Sequence, residues 1–436
     1  MQGSRANTYR SFLRTTSSPC IIDAAVHQGV TTARLLDTGD SRSAVAEHRV
    51  LLDCARLVAE SGARRDARVA AVRASLERDC DWSALLRAAP AESLLGPLYA
   101  AVTAAAADVV PEDRLTELRN LFRVNTERML RLTGQLLRIL DLLRANGVQA
   151  VPFKGPALAQ DVFGEVGMRQ SVDLDILVAA ADVAHACELL VANGFRWMAP
   201  ASAVPQRALL RNEWEAVLVR TDGEPMVELH WRVGPRFARG SLSAERLIAR
   251  AGTISLLGRE VPNLCLQDVA LVLALHASTH RWEELEQILT FAVVLAKMTE
   301  IEFLGTVEEA REQGCRRRFL IGCILARDVL GLELPKSVEE CAAADPAAAR
   351  LAARARARLF SEDSGGSIGG GLPGLRWQAA ALDTRPDRIR HLIARVFVPG
   401  ARDWDAVQLP RGLRWLYYLV RPLRLTGFFH GRETAR

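Results

Sequence analysis

Between residues 49 and 146 apolar positions recur at three- and four-residue steps, most clearly at Leu115, Leu118, Phe122, Met129, Leu132, Leu136, Ile139 and Leu143. That period lays a single apolar stripe along a helix, and Asn146-Gly147 supplies a helix stop, so residues 49–147 are expected to form a helical region. The period then changes. Val148 to Phe153 is a short β-favouring run, Lys154-Gly155-Pro156 follows as a turn and helix start, and a helical stretch runs to about Phe163. From Ser171 to Val178 the apolar residues Val172, Leu174, Ile176 and Val178 alternate with Asp173 and Asp175, which predicts a strand with one apolar and one carboxylate-bearing face. A helix from about Asp182 to Ala192 and a hairpin (Trp214 to Arg220, a turn at Asp222-Gly223, Met226 to Arg232) complete an α+β core over 148–262. Residues 263–360 read as helical again, 361–376 as a Gly/Ser-rich linker, and 377–436 as a basic helical segment. The expected fold class is α+β, with a small mixed sheet inserted between mainly helical flanks.

Residues 1–48 are rich in Ser, Thr and Arg without a sustained apolar period and read as a loose tail. Over all 436 residues, 49% hydrophobic and 25% charged side chains exclude a wholly disordered chain. The net charge of +5 is too small to demand a nucleic-acid or anionic-membrane partner. No stretch reaches the roughly 18 apolar residues of a membrane span, so a cytoplasmic protein is expected. The eight cysteines never approach a C-x-x-C spacing and read as reduced thiols. Only three of the 56 basic side chains are lysines, which draws attention to Lys154. An ammonium is a compact point charge that can meet a phosphate and, unlike a guanidinium, can also give up a proton.

Asp173 and Asp175 stand two apart on a strand and leave the same face, where they can hold divalent cations. Acid-x-acid pairs are common, so the context decides. These two interrupt an apolar strand, where carboxylates are costly without a compensating charge. Glu228 sits in a second strand, on the face it shares with His230 and Arg232. Lys154-Gly155 opens a helix, where free N–H groups and the helix dipole favour a phosphate. Carboxylates for metal, a glycine turn for a triphosphate and a nearby lysine are what in-line nucleotidyl transfer requires.

The run Lys154-Gly155-Pro156-Ala157-Leu158-Ala159, Arg169, Asp173-Leu174-Asp175, Glu228-Leu229-His230-Trp231-Arg232 and His276 to Trp282 resembles a bacterial nucleotidyltransferase family of the DNA polymerase β-like superfamily. The resemblance extends from about Trp82 and includes Asn120, Asn125 and the tail Leu416 to Pro422. It implies a small mixed sheet and transfer of a nucleoside monophosphate from an NTP with release of pyrophosphate. Mg²⁺ or Mn²⁺ would be held by Asp173, Asp175 and Glu228, with Glu228 holding metal or deprotonating the acceptor hydroxyl. Lys154, Gly155, Arg169 and Ser171 form the expected nucleotide-binding set. His230, Arg232, His276, His280 and Arg281 are candidate substrate contacts. The acceptor is left open among small molecule, peptide and RNA, as are the NTP and the oligomeric state.

Two positions depart from the family pattern: Lys154-Gly155 stands where Gly-Gly or Gly-Ser is usual, and Thr290 stands where an acid often occurs about eight residues past the tryptophan. The second argues against a further acid from the helical domain. His276 and His280 are four apart on a helix, but without a glutamate between them or an evident third ligand they read as packing residues rather than a zinc site. The C-terminal arginines with Trp415, Tyr417 and Tyr418 suit either RNA contact or, better, an amphipathic helix docked on the core. An RNA-directed, tRNA-end nucleotidyltransferase and a catalytically silent nucleotide- or partner-binding relative are the alternative readings.

Overall fold

The computed structural model describes residues 41–425 apart from 61, 79, 199–209, 211, 235–238, 360–370, 401, 402, 404–406 and 408. Among the described residues the first elements are helices: α1 (Ser41–Ala59), α2 (Arg65–Glu77), α3 (Trp82–Ala91), α4 (Leu95–Ala105) and α5 (Glu112–Ala145). Helix thus begins at Ser41, within the segment expected to be a loose tail; residues 1–40 of that tail lie outside the described residues. The 34 residues of α5 span about 51 Å at ~1.5 Å per residue. Glu112 and Asp113 in its first turn complement the helix dipole. Its stripe is buried as the period predicts, but against two cores: Leu115 and Leu118 pack among the helices, and Met129 to Leu143 against the sheet. This one helix therefore ties the two packing regions together.

The α+β core follows as β1 (Ala150–Pro152), α6 (Gly155–Phe163), β2 (Asp173–Val178), α7 (Val183–Ala192), β3 (Phe195–Trp197), β4 (Glu215–Arg220) and β5 (Gly223–His230). The five strands form one sheet in the order β1-β2-β5-β4-β3. Only the β2–β5 pairing is parallel; the others are antiparallel, so the small mixed sheet is present as expected. Leu174, Ile176, Val178, Val227 and Leu229 turn one face into the core beneath α5 and α7. Period-2 alternation therefore sends Asp173, Asp175, Glu228 and His230 to the opposite face.

Two further hairpins and a short helix, β6 (Arg232–Val233), β7 (Leu242–Ser243), α8 (Ala244–Ala249), β8 (Gly252–Leu256) and β9 (Arg259–Asn263), were not legible in the pattern. The first hairpin has two-residue strands, too short to show a period. The second is exposed along most of both strands.

The second helical region comprises α9 (Leu266–Thr279), α10 (Leu285–Ala296), α11 (Glu300–Gln313), α12 (Arg316–Leu325), α13 (Lys336–Ala343) and α14 (Pro346–Arg358). A Thr299/Glu302 capping box starts α11, and the Asp345 carboxylate caps α14. Between α9 and α10, Arg281 and Trp282 both adopt positive φ, +64° and +58°. The turn drives Trp282, fully buried, edge-on against Phe291 and over Gly322, where a Cβ would lie 2.6 Å from both rings.

The last described helices are α15 (Gly371–Ala380), α16 (Arg385–Phe397) and α17 (Tyr417–Leu425). Helix starts at Gly371, so residues 371–376 do not belong to a Gly/Ser linker, and residues 361–370 lie outside the described residues. The expectation that the C-terminal apolar stripe docks on the core is corrected. Ile389, Ile393, Phe397, Trp415 and Leu419 remain exposed, although Arg421 and Arg424 both bind the buried Asp403. All described cysteines are free thiols, and no described helix is long and apolar enough to cross a membrane.

Candidate active site

The parallel register of β2 and β5 sets Asp175 beside Glu228 and Leu177 beside His230. The antiparallel register of the β4–β5 hairpin adds Glu215 opposite His230. Lys154, the residue before α6, reaches the same place from the end of β1. Its Nζ donates to Asp175 Oδ1 at 2.9 Å, and His230 Nε2 lies 3.0 Å from the same oxygen. His230 is also 3.3 Å from Glu228 through Nε2 and 3.4 Å from Glu215 through Nδ1. Phe153 holds the imidazole edge-on at 5.0 Å between ring centres, with the Lys154 ammonium 5.2 Å from its own ring centre.

Four carboxylates, those of Asp173, Asp175, Glu215 and Glu228, thus face one lysine and one histidine. The electrostatics follow that imbalance. Burial opposes charge on Asp175, yet Lys154 and His230 hold its carboxyl far below the usual carboxylate range. Burial likewise opposes the Lys154 ammonium, but Asp175, Asp173 and Glu228 raise it. His230 is lowered by burial and then lifted to about 9 by Asp175 and Glu228, so at neutral pH it is an imidazolium that donates rather than ligates. Asp173 carries the surplus: burial, then the charges on Asp175 and Glu228, push it up to about 7. Burial also raises Glu215, against the pull of His230.

Ligand atoms of Asp175, Glu228 and His230 lie within 4.8 Å of one another, the spacing of a cation site. Asp173, expected as a ligand, stands outside that set, two residues along β2 on the same face. The donor set suits a hard divalent cation: oxygen-rich, buried and in excess of negative charge. A cation held there would compete with Lys154 and the protonated His230 for Asp175.

Gly155 opens α6 at φ +60°, a conformation that penalises a side chain. A Cβ there would sit 3.4 Å from the Asp173 carbonyl and 3.7 Å from Ser171 Oγ, so Lys154, Gly155 and Ser171 meet at the start of β2. Arg169 is fixed from two sides. Asn125 of α5 donates Nδ2 to its carbonyl at 3.1 Å, and its own Nε donates to Glu286 of α10 at 2.7 Å. Its Nη1 is buried with no partner.

Glu286 also accepts from Thr290 Oγ1 at 2.6 Å. One turn before Thr290, α10 does carry a buried carboxylate, but it pairs with Arg169 and stands outside the metal-type group of Asp175, Glu228 and His230. Beside it Glu284 is raised to about 7 by burial and by Glu286.

The His276 and His280 rings lie 4.6 Å apart at a tilt of 51°, and both are lowered by burial and by Lys154, which makes them neutral neighbours of the cluster. No metal-type grouping among the described residues includes them. Arg281 pairs with Glu283 at 2.9 Å instead of reaching toward the cluster. Arg232 donates to Ser241 Oγ at 3.3 Å. Sequence reasoning missed Glu215 and Glu286. The Asp222-Gly223 turn locates the hairpin but not this pairing, because a register shift between Val219 and Arg220 intervenes before Glu215 meets His230, and Glu286 carries no local signal.

No curated protein and no solved structure matches the chain. The sequence model of a family described as "uncharacterised nucleotidyltransferase" matches residues 78–331, a span that holds the whole carboxylate cluster, the Gly155 turn and the Arg169–Glu286 pair. More than half of the chain is covered, and it belongs to that family of nucleotidyltransferases.

Proposed function

We propose that the protein transfers a nucleoside monophosphate from an NTP to a hydroxyl- or phosphate-bearing acceptor, with Mg²⁺ held by Asp173, Asp175 and Glu228. The observation that carries this reading is the carboxylate surplus on one sheet face, where Asp175 and Glu228 together with burial raise Asp173 to about 7 despite the pull of Lys154. When bound, Mg²⁺ supplies Lewis-acid activation of the acceptor oxygen and neutralisation of the departing pyrophosphate. The chain's own residues do the rest. The Gly155 turn lets the triphosphate approach the backbone at the start of α6, and Ser171 lies beside it. Lys154 leaves Asp175 and turns its ammonium to the phosphates, a role suited to a compact charge on a flexible stem. Arg169, held by Glu286, offers its free Nη1 to a phosphate oxygen. Glu228 accepts the acceptor's proton or holds metal, and His230 orients Asp175. The polymerase β-like superfamily resemblance agrees with this division of labour.

The test is release of pyrophosphate together with transfer of label from α-³²P-labelled NTPs into acceptor pools, comparing wild type with Asp173→Asn. Label transfer in wild type and none in the variant is the expected result. Undiminished transfer by Asp173→Asn refutes the assignment.

A further inference from the structure

A cavity of about 670 Å³ opens where the first turns of α12, α14 and α16 meet the end of α11 and Arg239. None of the carboxylate-cluster residues lines it, but five arginines and three aspartates do. With 53 arginines in the chain, cationic lining alone is ordinary; the pairing within the cavity is what distinguishes it.

Each aspartate is consumed by the fold. Asp383 accepts the backbone N–H groups of Arg316 and Arg317 at 3.0 and 2.9 Å, closing the start of α12. Asp345 caps α14 through Ala347 and Ala348 and binds Arg317 Nε at 2.9 Å. Asp387 is buried, taking a hydrogen bond from Thr384 and an ion pair from Arg390. Of the arginines, Arg317 is spent on Asp345 and Arg311 on Glu308.

Arg239, Arg316 and Arg350 remain. Among the described residues none of the three forms an ion pair, Arg316 acting on Glu308 only through space, and Arg316 Nε is buried with no hydrogen-bond acceptor. A buried N–H donor without an acceptor is rare in folded proteins, because it forfeits its hydration without compensation. Three guanidiniums on three walls demand a ligand with more than one negative group and oxygens that suit their forked donors. The volume is that of a small-molecule pocket rather than a track for a polymer.

We propose that this cavity is a second ligand site, for a small phosphate-bearing molecule of nucleotide size, separate from the carboxylate cluster. Arg239 stands nine residues after His230 in the chain. The inference does not depend on the proposed reaction.

The test is calorimetric titration of the full chain with inorganic pyrophosphate at low ionic strength, in EDTA so that no metal bridges the probe to the carboxylates. One molecule should bind wild type, and Arg316→Ala and Arg350→Gln should each weaken it about tenfold or more, the worth of a charge-assisted hydrogen bond. Arg350 is exposed, so Arg350→Gln decides the matter even if Arg316→Ala fails to fold. Metal-dependent NTP binding should be unchanged in Arg350→Gln, which keeps the two sites distinguishable. No heat with pyrophosphate, equal affinity in the variants, or joint loss of both responses overturns the proposal. Displacement of pyrophosphate by a tighter-binding single-stranded oligonucleotide also overturns it, by replacing the small molecule with a nucleic acid.

Discussion

Replacing Asp173 with asparagine should stabilise the metal-free protein. The Asp173 carboxyl ionises near 3.8 in a free chain and at about 7 in the fold, where burial and the charges of Asp175 and Glu228 oppose it. Across that window the folded state binds more protons than the unfolded state, so stability falls as pH rises from about 4 to about 7 and stays reduced above. A shift of roughly three pKa units corresponds to at most about 4 kcal/mol, and relaxation of the cluster reduces that to on the order of 2 kcal/mol or more. Asparagine has nearly the same shape and no charge to lose. Urea unfolding in EDTA should therefore show Asp173→Asn more stable than wild type at pH 8, with the gap closing toward pH 4. Mg²⁺ should restore wild type and leave the variant unmoved. A variant less stable than wild type at pH 8, or a gap independent of pH, refutes the reasoning.

Glu286→Ala strands the Arg169 guanidinium in a buried place and should cost about 3 kcal/mol or more in urea unfolding, with Glu286→Gln costing less. Gly155→Ala forces a side chain into φ +60° against the Asp173 carbonyl, so stability should drop by about 1–2 kcal/mol and the apparent Kd for NTP should rise. Gly322→Ala puts a methyl into the Trp282 and Phe291 rings; the thermal midpoint should fall by the equivalent of about 1–3 kcal/mol, and metal binding at the carboxylates should persist.

Much of the carboxylate-bearing sheet could be read from the chain because its signals are local. Alternation around Asp173 and Asp175 identifies β2, the Asp222-Gly223 turn pins the β4–β5 hairpin, and the apolar stripe of Leu115 to Leu143 outlines α5. What could not be read depends on long-range placement. Glu286 lies 117 residues beyond its partner Arg169, and nothing around either predicts the pairing. His230, expected to touch substrate, lies instead on Asp175, because the parallel β2–β5 register is set by packing and not by a turn. Arg281, a candidate substrate contact, lies just past the end of α9, where positive φ at Arg281 and Trp282 turns the chain, and its guanidinium pairs with Glu283. The exposed stripe of α16 shows the converse: its amphipathic period is plain, yet period alone says nothing of what, if anything, covers it.

The central claim is that the Asp173, Asp175 and Glu228 face binds a metal-bound NTP. Its most direct test is the thermal midpoint of wild type and Asp175→Asn with each NTP, with and without Mg²⁺. A ligand at about 100 times its Kd adds roughly 2.7 kcal/mol of stability, which is readily seen as a shifted midpoint. The account predicts an Mg²⁺-dependent rise with at least one NTP in wild type and none in Asp175→Asn. An equal rise in the folded variant, or no rise in wild type with any NTP, would contradict it.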